Sequence, residues 1–254
     1  MRRRSNPALF LVPLMLATTG SSAARAQEGT WTFVASAGAG FVGMEDVNRT
    51  LERTVRFWNE VEFIPVGPFS KFSVVPSFGF RTSYRYDRDV AVSLSASFFS
   101  AKVRNHYSDP SVELDMERSV GSVDLLLGLS YFFPLEWSLE LQTFVDAGVI
   151  FARADALTFN SRVEKTGPDV VTTVYYDTDA KYRGTKAVAT FGSSLTWSAL
   201  SPFVLRTELS YRFARIGEMK GTIRKTQGTF EDLSQTVFDF SVLSVNLGIG
   251  YQFE

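Results

Sequence analysis

Apolar and polar residues alternate along most of this 254-residue chain. Successive side chains of a β-strand point to opposite faces, so a period of two predicts strands. The carboxyl-terminal stretch is the clearest, because from Leu243 to Phe253 every second residue is apolar and the residues between are Ser, Asn, Gly, Gly and Gln. Eight such segments cover 31–43, 72–86, 90–104, 120–133, 137–151, 185–199, 203–215 and 243–253.

The connections between these segments alternate between short and long. The short ones are turns at 87–89, 134–136 and 200–202, and the long, charged ones begin near Met44, Asn105, Arg153 and Ile216. Short turns at one end and long loops at the other are typical of an up-and-down membrane barrel. We therefore predict an all-β, antiparallel transmembrane β-barrel of eight strands. If the excursion after Arg153 is counted as two further strands, the alternative is ten.

The long connections contain patterns of their own. Alternating segments on both sides of the turn signal Lys165–Asp169 predict that strands five and six form one tall hairpin. We interpret strands seven and eight in the same way around Thr226–Gly228. The first connection differs, because its apolar residues between Glu45 and Asn59 fall at helical spacing. That spacing predicts one short amphipathic helix, which we place as a cap on the barrel rim.

Aromatic residues suggest which face of the sheet points outward. The chain has 23 Phe, 9 Tyr and 4 Trp, and many lie at the short-turn ends of the strands, on the apolar face. Such a girdle is expected where a barrel meets the boundary between lipid and water. Its members are Trp31, Phe33, Tyr84, Tyr86, Tyr131, Phe133, Trp137, Trp197, Phe203, Tyr251 and Phe253. The apolar face then lies toward lipid, and the face rich in Gly and Ser fills the lumen.

Charged residues on the inward face form the candidate site. Residues that alternate with the apolar ones along a strand should point into the lumen, and we call this assignment strand parity. By strand parity the lumen network comprises Arg81, Arg85, Asp124, Glu140, Asp146, Arg206, Glu208 and Arg212. Strand parity also assigns Lys71 and Lys186 to the inward face. An eight-stranded barrel is about wide enough for its own side chains, and unpaired charges in it would be costly. We therefore expect ion pairs across the lumen that plug it. A narrow or gated pore is the alternative.

The first 26 residues have the features of a cleaved export signal. Three arginines follow Met1, an apolar stretch runs from Ala8 to Ala17, and Ala24-Arg25-Ala26 offers a small-x-small cleavage site. We divide the chain into a signal peptide, 1–26, and a barrel domain, 27–254. The leader contains four arginines and no acidic residue, so its removal changes the net charge from −1 to −5.

The carboxyl end resembles the terminal assembly signal of bacterial outer-membrane barrels. Asn246 is followed by Gly248, and then Tyr251 and Phe253 alternate with polar neighbours, although Glu254 follows the aromatic residue that usually ends such chains. The resemblance implies insertion by the barrel assembly machinery. With the eight strands, the chain resembles the small outer-membrane barrels of the OmpA/OmpX type, without a peptidoglycan-binding domain. That family implies a place in the outer membrane, in contact with its lipid and lipopolysaccharide.

Other motifs have simpler explanations. The G-x-G-x-x-G run Gly38–Gly43 follows a strand, but no second strand-helix-strand unit accompanies it. His106 lies near Ser108 and Asp109, too compactly for a catalytic triad, and we interpret it as a surface histidine. The acidic runs Glu113–Glu117 and Asp177–Asp179 are typical of solvated loops, so we predict no metal site.

Composition excludes further classes of function. The absence of cysteine excludes a disulfide scaffold and a thiolate site, and 26 basic against 27 acidic residues argue against a nucleic-acid partner. We expect no cofactor and leave the oligomeric state open. Our first hypothesis is a non-enzymatic barrel whose hairpins serve surface interaction or envelope integrity. The alternatives are a narrow passive channel for small solutes and an enzyme that modifies lipid A.

Overall fold

A computed structural model describes residues 29–166, 169–225, 228–233 and 236–253. The elements are β1 (Thr30–Val42), α1 (Glu45–Glu60), β2 (Val74–Arg85), β3 (Val90–Ser108), β4 (Val112–Pro134), β5 (Leu139–Thr166), β6 (Asp169–Leu200), β7 (Phe203–Phe213), β8 (Arg215–Ile216), β9 (Lys220–Lys225), β10 (Gly228–Leu233), β11 (Phe238–Asp239) and β12 (Val242–Phe253). The predicted signal peptide lies outside the described residues, so it stays a prediction.

Eight antiparallel strands close into a ring. Strands β1 to β7 pair with their neighbours in chain order, and β12 lies between β7 and β1. The closing ladder joins Trp31 to Phe253 at one end and Val42 to Val242 at the other. The predicted up-and-down barrel of eight strands is therefore confirmed. Strands β9 and β10 extend the same sheet without entering the ring.

The ring has short turns at one end and tall strands at the other. Hairpin β5–β6 stays paired up to Thr166 and Asp169, with one shift of register between Asn160 and Ser161, which confirms the predicted tall hairpin. The corresponding prediction for strands seven and eight is wrong. Strand β7 ends at Phe213, and the hairpin β9–β10 instead pairs with β6 along Thr178–Arg183. Alternation within a strand predicts which residues share a face but not which strand lies beside it. The sequence pattern therefore could not show that β9 pairs with β6.

Helix α1 lies at the tall-strand end and covers the mouth of the barrel. The predicted short helix is confirmed, and its apolar stripe buries Val47, Leu51 and Trp58. Asn48 ties it to the chain that follows, because its Oδ1 accepts from the Phe72 amide at 2.8 Å and its Nδ2 donates to the Phe72 carbonyl at 3.0 Å. Among the described residues, no helix is both long and apolar enough to cross a bilayer.

Beneath α1 the upper part of the barrel is filled by apolar side chains. We call this cluster the apolar upper core. It combines the stripe of α1 with inward residues of the walls and of the chain before β2, among them Phe72, Val75, Phe99, Met116, Ile150, Val188, Phe240 and Val242. Sequence parity indicated a polar lumen throughout and did not reveal this core. Some of its residues lie in loops and in α1, and alternation along the strands says nothing about where those residues pack.

The outer face carries the exposed apolar residues. On β4 they run from Val123 to Phe133, and Leu127 is 70% exposed. Aromatic pairs lie near the short-turn end, with ring centroids 4.9 Å apart for Trp31 and Tyr84 and 4.8 Å apart for Tyr131 and Phe133. A water-soluble sheet protein would bury such a face. We call this exposed band the apolar belt.

Candidate functional site: the charged lumen

The lower lumen is lined by inward charges on strands β2, β4, β5 and β7. The eight residues of the predicted network all lie there, and each takes part in an ion pair. Every one of these side chains is less than one-fifth exposed. The four basic and four acidic members balance one another. The pairs occupy successive levels above the short turns.

The lowest level is an ion pair between β2 and β5. Arg85 donates from both terminal nitrogens to the two carboxylate oxygens of Glu140, at 3.0 and 2.9 Å. The guanidinium lies 3.8 Å from the centroid of the Phe132 ring. Paired hydrogen bonds together with stacking on an aromatic face hold the arginine in a single orientation.

Two pairs share the next level. Arg81 donates to both oxygens of Asp146, at 3.2 and 2.5 Å, and crosses the lumen from β2 to β5. Arg206 instead bonds Glu208, two residues along the same strand, at 2.9 Å. Both guanidinium groups lie near the ring of Phe144, at 4.2 Å from its centroid for Arg81 and 5.7 Å for Arg206. The expectation of pairs across the lumen therefore fails for Arg206 and Glu208, because neighbouring inward positions on one strand are already within reach.

The uppermost pair joins β7 to β4. Arg212 donates to Asp124, to the hydroxyl of Ser122 at 3.2 Å and to the carbonyl of Phe240 at 3.0 Å. Its guanidinium lies 4.8 Å from the ring of Phe99, which belongs to the apolar upper core. This arginine thus connects the charged levels to the apolar layer above them.

A glycine makes room for the middle level. A Cβ on Gly128 would lie 1.7 Å from Oδ1 of Asp146. No side chain could stand there while Asp146 keeps its place. The small residues of the lumen face are therefore needed for the charged ones to fit side by side.

Two lysines assigned inward by parity do not join the network. Lys71 precedes β2 and forms an exposed ion pair with Glu52, at 3.0 Å. Lys186 is exposed on β6, between the residues that pair with β9 and those that pair with β7. The inward assignment is wrong for Lys71 because this residue precedes the strand, so alternation does not apply to it. It is wrong for Lys186 because alternation assumes a closed wall on each side of the strand, and the wall is open between β7 and β9.

Little space remains inside the lumen. A cavity of about 80 Å³ lies between the middle and upper levels, against Ser77, Ser97 and Asn246. The apolar upper core and α1 lie above the charged levels.

The structure is a closed ring of eight antiparallel strands, with the apolar belt on its outer face and charged residues on its inner face. The chain has the fold of a small outer-membrane β-barrel. No protein-family model and no curated protein sequence matches it.

Several solved structures resemble the barrel at low sequence identity. The crystal structure of the attachment invasion locus protein Ail of Yersinia pestis, in complex with the heparin analogue sucrose octasulfate, has a TM-score of 0.44 and 14% identity, covering 89% of this chain and 100% of that one. A major outer membrane protein from Thermus thermophilus has a TM-score of 0.48 and 13% identity, covering 88% and 99%. OprG from Pseudomonas aeruginosa has a TM-score of 0.42 and 11% identity, covering 89% and 98%.

The residues of the predicted assembly signal lie on the last barrel strand. Asn246 points into the lumen, where its Oδ1 accepts from the hydroxyl of Ser77 at 2.6 Å. Gly248 shares that face, while Tyr251 and Phe253 lie on the outer face within the aromatic girdle. Tyr251 stacks edge-on against Phe203 with centroids 5.6 Å apart. Their role in assembly stays a prediction.

The other sequence motifs lie apart from the lumen network. His106 is exposed on β3, and Asp109 is bonded to Tyr107 and Ser111. Residues 38–42 of the glycine run lie within β1, and those up to Phe41 are paired on both sides. Acidic residues of the tall strands lie in exposed ion pairs, such as Asp115 with Arg104. Among the described residues, no three His, Cys, Asp or Glu side chains come close enough to hold a metal ion.

Proposed function

We propose that this protein is a non-enzymatic outer-membrane barrel whose lumen is closed by its own side chains and whose tall strands present a surface outside the cell. The ladder of ion pairs that spans the lumen carries this proposal. Each buried guanidinium is matched to a carboxylate and packed on an aromatic ring, so opening a path would require breaking buried pairs.

The location follows from the apolar belt. A backbone in hydrocarbon must satisfy all its hydrogen bonds internally, and a closed ring does so. On β4 the belt covers the eleven residues from Val123 to Phe133, and a tilted transmembrane strand needs about 9–11. Outer-membrane lipid and lipopolysaccharide would surround this belt, and the barrel assembly machinery would insert it. The short turns would face the periplasm, because such barrels have their short turns there.

Above the belt the outward faces of the tall strands become charged. Lys102 pairs with Glu117, and Arg183 pairs with Asp155, on outward positions of β3 to β6. Charged pairs of this kind suit water rather than lipid. The tall strands would therefore stand clear of the membrane and offer a surface for interaction or envelope integrity.

Electrical recording tests the closed lumen directly. We expect wild-type protein in planar bilayers to give no sustained conductance. Arg212→Ala removes the upper charged level, and we expect it to give a measurable leak. Arg183→Ala is the matched control, since this arginine pairs on the outer face, and it should stay silent. Steady conductance of the wild type would refute the proposal in favour of a narrow channel.

Lipid analysis tests the non-enzymatic assignment. We expect lipid A from cells that express the protein to have the same mass spectrum as lipid A from cells that lack it. His106→Ala should leave that spectrum unchanged as well. A modification that appears with the wild type and disappears with His106→Ala would instead identify a lipid-modifying enzyme.

A further inference from the structure

A cleft lies between α1 and the inner face of the tall strands β4, β5 and β6. Its volume is about 500 Å³, within the range of about 300–1,000 Å³ typical of small-molecule sites. Thr50, Arg53, Phe57 and Trp58 form the helix side of this cleft. It lies above the charged lumen and does not depend on whether the lumen conducts.

The cleft exists because the facing strand carries small side chains. The first three inward positions of β5 above Ile150 are Ala152, Ala154 and Ala156. Ala156 lines the cleft, and Ala154 lines an adjoining hollow of about 400 Å³. Larger residues there would fill the space between helix and wall. The apolar stripe of α1 instead packs on the apolar upper core, and its neighbouring face stays open toward β5.

Polar groups in the wall point to a ligand with hydrogen-bond donors. Asn160 is 3% exposed and lines the cleft, and its Oδ1 accepts no hydrogen bond from the described protein groups. The β5–β6 register shifts at this residue, and such irregularities re-aim side chains. Thr178 Oγ1, on the adjacent strand, is buried in the same cleft and also has no protein partner. Buried acceptors of this kind are normally satisfied.

The charge of the lining favours an anion. Among the described residues, Arg53, Arg118 and Arg162 line the cleft with one carboxylate, Glu62, which lies 3.7 Å from the Arg162 guanidinium. Arg118 is held in place, because its guanidinium donates to the Leu157 carbonyl at 2.6 Å and to the Thr158 hydroxyl at 3.0 Å. Arginine presents several donors to a carboxylate at once.

We propose that this cleft binds a small hydroxylated organic anion with the chemistry of a sugar acid. Its carboxylate would face the arginines, and its hydroxyl groups would donate to Asn160 and Thr178. Phe57 and Trp58 both line the cleft, with ring centroids 5.5 Å apart, and the exposed ring of Phe57 would cover the apolar face of the ligand.

Calorimetric titration of folded protein in detergent micelles tests this site, with D-glucuronate as the probe and D-glucose and inorganic phosphate as comparisons. We expect glucuronate to saturate one site and to bind at least about tenfold tighter than either comparison. Ala156→Leu fills the cleft and should weaken binding at least about tenfold. Asn160→Ala and Thr178→Val each remove one acceptor and should weaken it about 3- to 10-fold.

Leu157→Ala is the matched control, because Leu157 neighbours Ala156 on β5 but is exposed on the outer face, and it should bind as the wild type does. Each variant must show wild-type heat-modifiable migration on gels, which reports a folded barrel. The absence of saturable glucuronate binding, or binding that survives Ala156→Leu in a folded barrel, overturns the site. Glucose or phosphate binding as tightly as glucuronate overturns the assigned ligand chemistry.

Discussion

At the scale of single residues, the buried charges of the lumen are held by matched partners. Removing a charge from water costs several kcal/mol, and a close partner with further hydrogen bonds offsets that cost. Asp124 is fully buried and meets Arg212, which also bonds Ser122 and Phe240. Removing only one partner of the pair is therefore strongly destabilising. Replacing both partners by apolar residues of the same volume would change the stability little.

Asp124→Ala leaves Arg212 buried beside Ser122 without its carboxylate. We expect the free energy of unfolding to fall by about 3–5 kcal/mol, measured by urea unfolding of the barrel in lipid vesicles. Asp115→Ala is the control, since its partner Arg104 is 62% exposed, and it should cost no more than about 1 kcal/mol. Equal losses in the two variants would contradict a structural role for the lumen pair.

A hydrogen-bonded carboxylate closes the turn between β3 and β4. The pKa of Asp109 is lowered to about 2, first by the hydrogen bond from the Tyr107 hydroxyl and then by those from Ser111. A depressed pKa means that the carboxylate stabilises the folded turn above its ordinary pKa of 3.8. That contribution is lost as pH falls from about 4 through about 2.

Tyr107→Phe removes the largest cause of that shift. We expect the pKa of Asp109, followed by NMR of its carboxyl carbon, to rise from about 2 toward the ordinary value of 3.8. Ser108→Ala alters the neighbouring side chain without removing a bond to Asp109, so it should leave the pKa in place. A Tyr107→Phe titration that matches the wild type would show that the phenol does not hold the carboxylate.

At the scale of elements, alternation and turn signals were enough to predict the ring and α1. Parity also placed all eight network residues on the inner face. It could not choose partners, because pairing depends on which strands lie opposite, and Arg206 takes Glu208 from its own strand. It also assigned Lys186 inward, where the wall between β7 and β9 is open. The apolar upper core was missed because α1 and the strands contribute to it jointly.

A charge placed in the apolar stripe of α1 should detach the helix from the barrel without unfolding the ring. Leu51 is 4% exposed in the apolar upper core, and Leu51→Asp places a carboxylate there. Burying an unpaired charge costs more than ~1.4 kcal/mol, which is the free energy that corresponds to a tenfold change in the population of the detached helix. We expect chymotrypsin to cleave the 57–72 segment at least about tenfold faster. Arg56→Gln, on the exposed side of the helix, should not change the rate. Loss of heat-modifiable migration in Leu51→Asp would mean that the helix and the ring unfold together.

At the scale of the whole molecule, the chain combines an apolar exterior with a polar lower interior and an apolar cap. The belt on β4 rises about 3.3 Å per residue along a strand tilted about 40°, which gives a height of about 25 Å. That height matches the apolar band of outer-membrane barrels. Above it, Leu157 on β5 is paired across the sheet with Glu117, an outward charged residue. The change from apolar to charged neighbours therefore marks the upper edge of the membrane.

An arginine scan across this edge tests the placement of the whole barrel in lipid. Leu127 lies near the middle of the belt and is 70% exposed, and Leu127→Arg should lower the free energy of unfolding in vesicles by about 2–4 kcal/mol. Leu157→Arg puts the same side chain above the belt, opposite Glu117, and should cost about 0–1 kcal/mol. Urea unfolding from vesicles measures both. In a water-soluble barrel an arginine at either exposed position would be tolerated equally, so equal stabilities would reject the membrane placement.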